Sequence, residues 1–480
     1  MRRILAVVLA MLLVGAGYLA LDVLDRVPGI LTRDATAAPA PAPTPTSPPA
    51  TPPATVPTPA ATPAPLLAAD VSAPLPAPTV LKRQLADELA DPALGPSIGV
   101  SVRDAFTGAH LLDIDADRPR VPASTAKMLT ALAVGVTLDP ASTLPTTVVQ
   151  GRAPGEIVLV AGGDSLLGAG KGRPTAVEGR AGLADLAAQV VAALQSAGTS
   201  TVTVRLDLTY AAGPRYAPGW NMADVHAGFT QGVSMLGLAS QRPEYGRPSP
   251  LKPENEVLSA FVAALKPLGI AATAAPEAGR AVRAPSGAAE LGRVESAPVR
   301  DVLALALDDS DNALTESLAR QAVVKAGGAA TFEAAVAHVR TTVAGLGVDL
   351  TGVRLEDTSG LAGGQVIPAR VLGDVLALGA SGTVPTMRDT LAQLPVAGLD
   401  GTLYDRFTGV RSRSAAGLAR AKTGTLTGAS GLAGTVVDRD GRALTYVVLA
   451  DRVPGGFPGT VTARAALDRF VAALASCGCR

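Results

Sequence analysis

From about Ala35 to Pro78 the chain is almost only Ala, Pro and Thr, a composition that cannot bury a core and whose prolines favour extended polyproline II. This stretch separates a short N-terminal part from a long C-terminal part able to fold, and the 480 residues predict two or three units once unstructured parts are removed. Extended at about 3.1 Å per residue, it is a spacer that holds a domain roughly 100 Å from its attachment point. Ahead of it, Met1-Arg2-Arg3 leads into an uninterrupted apolar run from Ile4 to Leu21. As a helix that run spans roughly 27 Å, close to the hydrocarbon thickness of a bilayer. The two arginines before it and Asp22 and Asp25 after it orient the bulk of the chain outside the cytoplasm. The run is long for a signal core and the nearest small-residue site, Ala35 to Ala38, lies far beyond it. Residues 1–25 are therefore read as an uncleaved anchor, with a cleaved signal peptide as the alternative, and 26–80 as a disordered linker.

Basic and acidic residues balance at 41 each, with no run of Lys or Arg, so nothing here suits a polyanion and nucleic acid is not an expected partner. Aromatics are only 3%, which leaves Ala, Val and Leu to build the core and removes the stacking platforms of single-strand binders. Cys477 and Cys479 are the two cysteines, at the extreme C-terminus; they form no disulfide framework and read as a local disulfide or idle thiols, with soft-metal chelation as the rival. His110, His226 and His338 show no metal-binding spacing, so neither a metal nor a cofactor is expected.

Beyond the linker, Lys82 to Leu89 reads as a short helix. Ile98, Val100 and Val102 alternate up to Asp104-Ala-Phe-Thr-Gly108 and continue in Leu111 to Ile114, which predicts a hairpin. A second hairpin joins Gly434 to Val437 with Ala443 to Ala450 around Asp438 to Arg442, and a final helix lines up Leu467, Phe470, Val471 and Leu474. These terminal elements predict one sheet-based domain. Between them lie helical stretches at Leu183 to Leu194, Glu254 to Leu265, Val299 to Leu307, Asn312 to Val324 and Phe332 to Val343. Glu156 to Val160 and Thr201 to Leu208 bracket the Leu183 helix, a strand-helix-strand pattern able to form its own small sheet.

Pro122-Ala-Ser-Thr-Ala-Lys127 runs directly into the apolar stretch from Met128 to Val134, so Ser124 is expected at a helix start with Lys127 one turn on, sharing a face. A serine hydroxyl is a weak nucleophile until a base takes its proton, and lysine is that base only when burial or another cation keeps it neutral. The helix start supplies a backbone N–H and a positive dipole end where an oxyanion would develop. Ser-x-x-Lys alone is common by chance. Ser310-Asp311-Asn312 lies between two helical stretches, where it presents polar side chains to a cleft or simply caps a helix. Lys422-Thr423-Gly424-Thr425 precedes the C-terminal hairpin, where glycine admits close backbone approach and the cation and hydroxyls can hold a carboxylate, or where it is an ordinary strand edge. With seven lysines in the whole chain, two in these contexts by accident are improbable.

Ser-x-x-Lys, Ser-Asp-Asn and Lys-Thr-Gly in that order match the signature of penicillin-binding proteins and serine β-lactamases. Val121 to Lys127, Ala161-Gly-Gly-Asp-Ser-Leu166, Tyr216-Ala-Pro-Gly-Trp220, Asp357-Thr-Ser-Gly-Leu361, Leu394 to Leu403 and Ala421 to Leu426 narrow the match. From about Pro96 onward the chain resembles the class C low-molecular-mass penicillin-binding proteins, the D-alanyl-D-alanine carboxypeptidase/endopeptidase family. It departs from that pattern at Ser165, where Pro is usual, and at Thr358, where Gly is usual.

The resemblance implies an α/β (α+β) serine β-lactamase/transpeptidase-like fold, an antiparallel sheet flanked by helices plus a helical subdomain. It implies a catalytic domain of residues 81–143 and 297–480, with an inserted α/β domain, 144–296, between the Ser-x-x-Lys and Ser-Asp-Asn motifs. By the same resemblance Ser124 attacks the carbonyl of the penultimate D-Ala of peptidoglycan stem peptides, Lys127 takes its proton, and Ser310 with Lys422 relays a proton to the leaving D-Ala. Asn312 orients the substrate amide, Thr423 and Thr425 of Lys422-Thr-Gly424-Thr425 hold the carboxylate, and the Ser124 and Thr425 N–H groups form the oxyanion hole. β-Lactam antibiotics are the implied inhibitors, and the membrane is touched through the N-terminal segment only. Asp164 is read as a turn former, Trp220 as a packed anchor, Asp357 as a motif marker, and Ser359 and the Asp400-Gly-Thr402 loop as candidate cleft linings outside the catalytic set. The alternatives are a serine β-lactamase of the same superfold, against which no Glu-x-x-Leu-Asn segment is visible, and a catalytically silent wall-binding protein.

Overall fold

The computed structural model describes residues 69–478. The expected anchor, residues 26–68 of the expected linker, and Cys479 lie outside the described residues. Among the described residues no helix is long and apolar enough to cross a membrane.

The terminal elements share a five-stranded antiparallel sheet: β1 (Ile98–Asp104), β2 (His110–Ile114), β10 (Ala419–Leu426), β11 (Ala429–Val437) and β12 (Ala443–Ala450), in the order β10-β11-β12-β1-β2. Two-residue alternation gives each face its own core. On β12, Val447 and Leu449 face a helical layer that includes Lys127–Thr137, Val299–Asp308 and Ala369–Ala380. Leu444, Tyr446, Val448 and Ala450 face the other way, against the C-terminal helix Gly456–Ala475 and the N-terminal helix Pro78–Gln84. The expected stripe Leu467, Phe470, Val471 and Leu474 is fully buried there. Cys477, also buried, is disulfide-bonded.

A small ladder of β3 (Pro119–Arg120) and β9 (Ile367–Pro368) sits beside this sheet. A second sheet is built from β4 (Pro145–Gln150), β5 (Glu156–Val160), β6 (Thr201–Asp207), β7 (Ala271–Ala274) and β8 (Glu290–Glu295), ordered β7-β6-β5-β4-β8. β5 and β6 run parallel with the helix Leu183–Ser196 between them in sequence, as the strand-helix-strand pattern requires. Its core continues beyond the sheet to Phe332 and Ala362. Trp220 lies in that seam, edge-on to Phe332 with ring centroids 5.9 Å apart.

Candidate active site

β3 delivers the chain into a 3-10 turn, Ala123–Ala126, and the α-helix proper begins at Lys127. Ser124 therefore sits in the turn ahead of the helix, a shift from the sequence expectation of an α-helical start. The turn is tight: Ala123 is left-handed with φ 46°, and Thr125 returns both its N–H (3.2 Å) and its hydroxyl (2.7 Å) to Pro122 O. Lys127, one turn on and fully buried, donates from Nζ to Ser124 Oγ at 3.0 Å. The same Nζ donates to Asn312 Oδ1 at 2.6 Å and to the Ser359 carbonyl at 2.7 Å. Asn312 thus spends its oxygen on the lysine, and its amide nitrogen reaches Phe229 O at 3.4 Å.

Burial pushes the Lys127 ammonium from 10.5 down to about 8, opposed by the charges of Asp357, Glu316 and Asp311. Lys422, also fully buried, is held well below its ordinary value first by burial and then by the neighbouring Lys127, with Asp308 acting the other way. Its Nζ donates to Thr423 O at 3.0 Å and touches Thr423 Oγ1 at 3.5 Å. No hydrogen bond joins Lys422 to Ser310, so the expected relay is not a direct contact between these two side chains.

Ser310 occupies the short loop between the helices Val299–Asp308 and Asn312–Lys325, in a left-handed conformation with φ 56°. Both roles open to its motif occur together: Asp311 caps the second helix, accepting from Leu314 N at 2.9 Å, while Asn312 reaches Lys127. β10 is the edge strand. Its Ala421 N–H bonds outward to Pro395 O, and its Ala419 carbonyl accepts outward from Ala397 N. The two-residue period of a strand then carries the Thr423 and Thr425 N–H groups outward as well. Ser124, Ser310, Thr423 and Thr425 line one cleft of about 430 Å³, shared with Phe229, Thr402, Asp405 and Arg464.

Gly424 explains the close approach of β10 to the Ser124 turn. A Cβ there would stand 2.6 Å from Pro122 O and 3.0 Å from Thr125 Cγ2, against backbone that the turn has already fixed. Gly424→Ala is expected to push β10 off the turn and slow penicillin acylation roughly a hundredfold, a loss read by stopped-time labelling.

Two buried carboxylates under Lys127 were not in the sequence-derived site. Glu316 lies one turn after Asn312 and accepts from Thr358 N (2.8 Å) and Thr358 Oγ1 (2.6 Å). Burial first, then Asp357, raises its carboxyl to about 7. The i, i+4 spacing from Asn312 was the available signal. Thr358, one of the two departures from the family pattern, thus gives its added hydroxyl a partner. Asp357 accepts from Trp220 Nε1 (2.8 Å), Ser359 N (3.0 Å), Gly360 N (2.7 Å), Ala362 N (2.7 Å) and Gln365 Nε2 (2.8 Å). It pins the 357–362 loop against the Ser124 turn, so closely that a Cβ on left-handed Gly360 would lie 2.0 Å from Ala123 O. Trp220 ties the seam to that loop. Ser359 contributes its carbonyl while its side chain is fully buried, so it does not line the cleft; Thr402 does. Asp164 closes a turn onto Leu166 N at 2.8 Å, and burial raises it to about 7.

A lysine can accept a proton only when neutral, so with Lys127 as the proton acceptor penicillin acylation is expected to rise about fivefold from pH 7 to pH 8 and to level above about pH 9. Glu316→Gln removes a charge that favours the ammonium, and the midpoint of that pH profile should move to lower pH. A midpoint that stays or rises would separate Glu316 from the lysine's titration.

The family model for D-Ala-D-Ala carboxypeptidase 3 (S13) matches residues 81–243 and 249–474. Carboxypeptidase DacB of Mycolicibacterium smegmatis is 37% identical over 384 residues, 79% of this chain and 80% of the relative. Carboxypeptidase Rv3627c of Mycobacterium tuberculosis is 33% identical over 383 residues, again 79% and 80%. Among solved structures, penicillin binding protein 4 of Haemophilus influenzae superposes with a TM-score of 0.64 at 18% identity, covering 82% of this chain and 97% of that one. The same protein complexed with a β-lactam gives 0.58 at 19%, over 81% and 97%.

Proposed function

Because the chain belongs to the D-Ala-D-Ala carboxypeptidase 3 (S13) family, and is a serine-type D-Ala-D-Ala carboxypeptidase acting on cell-wall peptides, we propose that Ser124 is its nucleophile and Lys127 its base. The observation that carries this assignment is the 3.0 Å contact between Ser124 Oγ and the buried Lys127 Nζ. Lys127 takes the hydroxyl proton as Oγ bonds to the carbonyl carbon of the penultimate D-Ala. The developing oxyanion is met by the Ser124 N–H and the outward Thr425 N–H. As the C–N bond breaks, the proton that Lys127 took is delivered to the D-Ala amine through Ser310, with Lys422 completing the relay. Thr423, Gly424 and Thr425 hold the substrate carboxylate and Asn312 orients the substrate amide from beside Lys127. Water then hydrolyses the ester.

A β-lactam offers the same carbonyl in a strained ring and leaves Ser124 as a slow ester; the β-lactam complex of the Haemophilus neighbour supports this inhibitor class. The family's cell-wall substrate places the reaction outside the cytoplasm. Residues 1–25 would anchor the enzyme there, a reading supported by the apolar run Ile4 to Leu21. The catalytic domain is assigned to 81–143 and 297–480, and the inserted domain to 144–296; in support, β4 to β8 all fall between Pro145 and Glu295 and form one sheet.

Mass spectrometry of the penicillin-treated protein tests the assignment. The adduct is expected on the peptide carrying Ser124; an adduct elsewhere overturns it, and rapid nitrocefin turnover in place of stoichiometric trapping would make the protein a β-lactamase.

A further inference from the structure

Ser310 lines the cleft and its Oγ makes no hydrogen bond to the protein among the described residues, so where the hydroxyl can reach depends on how the backbone carries it. That conformation is left-handed, φ 56°, in a residue that is not glycine. Such a geometry persists only where the surroundings over-determine it. Its own loop supplies two backbone bonds, Ser310 N to Leu307 O at 3.3 Å and Asp311 N to Ala306 O at 2.9 Å.

The residues on either side of Ser310 are gripped from outside. Arg242, from the segment between β6 and β7, donates Nε (3.1 Å) and Nη2 (3.0 Å) to Asp311 Oδ2 and Nη1 to Asp309 Oδ2 (2.9 Å). Its Nη1 also meets Glu178 Oε1 at 2.6 Å. The grip is protected from water at its centre: the Arg242 side chain is 17% exposed and that of Asp311 8%. Burial opposes the guanidinium charge, but Asp311, Glu178 and Asp309 outweigh it and hold Arg242 above its ordinary value. A planar fork can bond two carboxylates at once, which an ammonium cannot do with the same geometry. The arginine's base is itself fixed: the preceding Gln241 is buried, accepting from Leu238 N at 2.6 Å and donating to Pro253 O at 3.1 Å.

We infer that Arg242 is a positioning residue for Ser310, spanning the carboxylates of Asp309 and Asp311 so that the serine hydroxyl faces the scissile bond. The segment 144–296 then sets the geometry of the proton-delivering serine in addition to packing beside the cleft. This inference rests on the role proposed for Ser310.

A double-mutant cycle on the rate of penicillin acylation tests it, using the full chain. Arg242→Met is expected to slow acylation roughly tenfold to a hundredfold, as a displaced reacting group would, with Arg242→Lys in between. In a Ser310→Ala background the same Arg242→Met change should alter the residual rate by less than about twofold, because the group it positions is gone. Equal losses in both backgrounds, or no loss in either, overturn the inference. If Ser310→Ala acylates at the parent rate, the role of Ser310 itself falls and this inference falls with it; a slow Ser310→Ala with additive Arg242→Met removes only the positioning claim. Should Arg242→Met fail to fold, Asp309→Asn, which severs one side of the grip, is expected to show the same non-additivity at smaller size.

Discussion

Ser124→Ala is expected to take up no fluorescent penicillin at any incubation time, and Lys127→Ala to be labelled roughly a thousandfold more slowly than the parent protein. In the proposed mechanism the serine supplies the atom that bonds to the β-lactam carbonyl, and Ser310, which shares the cleft, has no hydrogen bond to Lys127 or Lys422, whereas Ser124 has one to Lys127. Loss of Lys127 removes the proton acceptor and also strands two groups that it bonds, Asn312 Oδ1 and the Ser359 carbonyl. A lysine-to-alanine protein that keeps its melting temperature yet loses labelling assigns the effect to proton transfer. Labelling of Ser124→Ala at the parent rate would move the nucleophile elsewhere.

Asp357→Ala is expected to lower stability by about 3 kcal/mol or more, a fall of roughly 5 to 10 °C in Tm, and to depress acylation as well. The carboxylate is fully buried and accepts from five donors, so alanine leaves the Trp220 indole, three backbone N–H groups and Gln365 Nε2 without their acceptor. The three backbone donors belong to the loop whose Ser359 carbonyl accepts from Lys127, which couples the stability loss to that lysine. Differential scanning calorimetry alongside penicillin labelling checks both. Asp357→Asn keeps the shape and half of the acceptor capacity, so it should fall between; an alanine variant as stable as the parent would mean that water satisfies these donors.

Short-range periodicity accounts for what could be read in advance. The β1–β2 and β11–β12 hairpins alternate apolar residues at period two, and the C-terminal helix repeats them at three and four, so pattern and element coincide. The helix Ala369–Ala380 escaped because Gly373 and Gly379 interrupt its pattern, although Val371, Leu372, Val375 and Leu376 are all buried. β7, Ala271–Ala274, carries no β-branched run beyond Thr273; pairing with β6 makes it a strand. Lys422 was placed ahead of a hairpin, whereas β10 is itself the hydrogen-bonded edge of that sheet, which is what turns the Thr425 N–H toward the cleft.

Sequence alone determined the order of the three motifs and the one-turn spacing of Ser124 and Lys127, because both are read directly along the chain. Tertiary structure decided that Lys127 is buried with its proton affinity lowered, that Glu316 and Asp357 lie beneath it, and that Arg242 reaches across to the Ser310 loop. Burial and charge proximity act through space between residues as far apart as Lys127 and Asn312, and no local pattern records them.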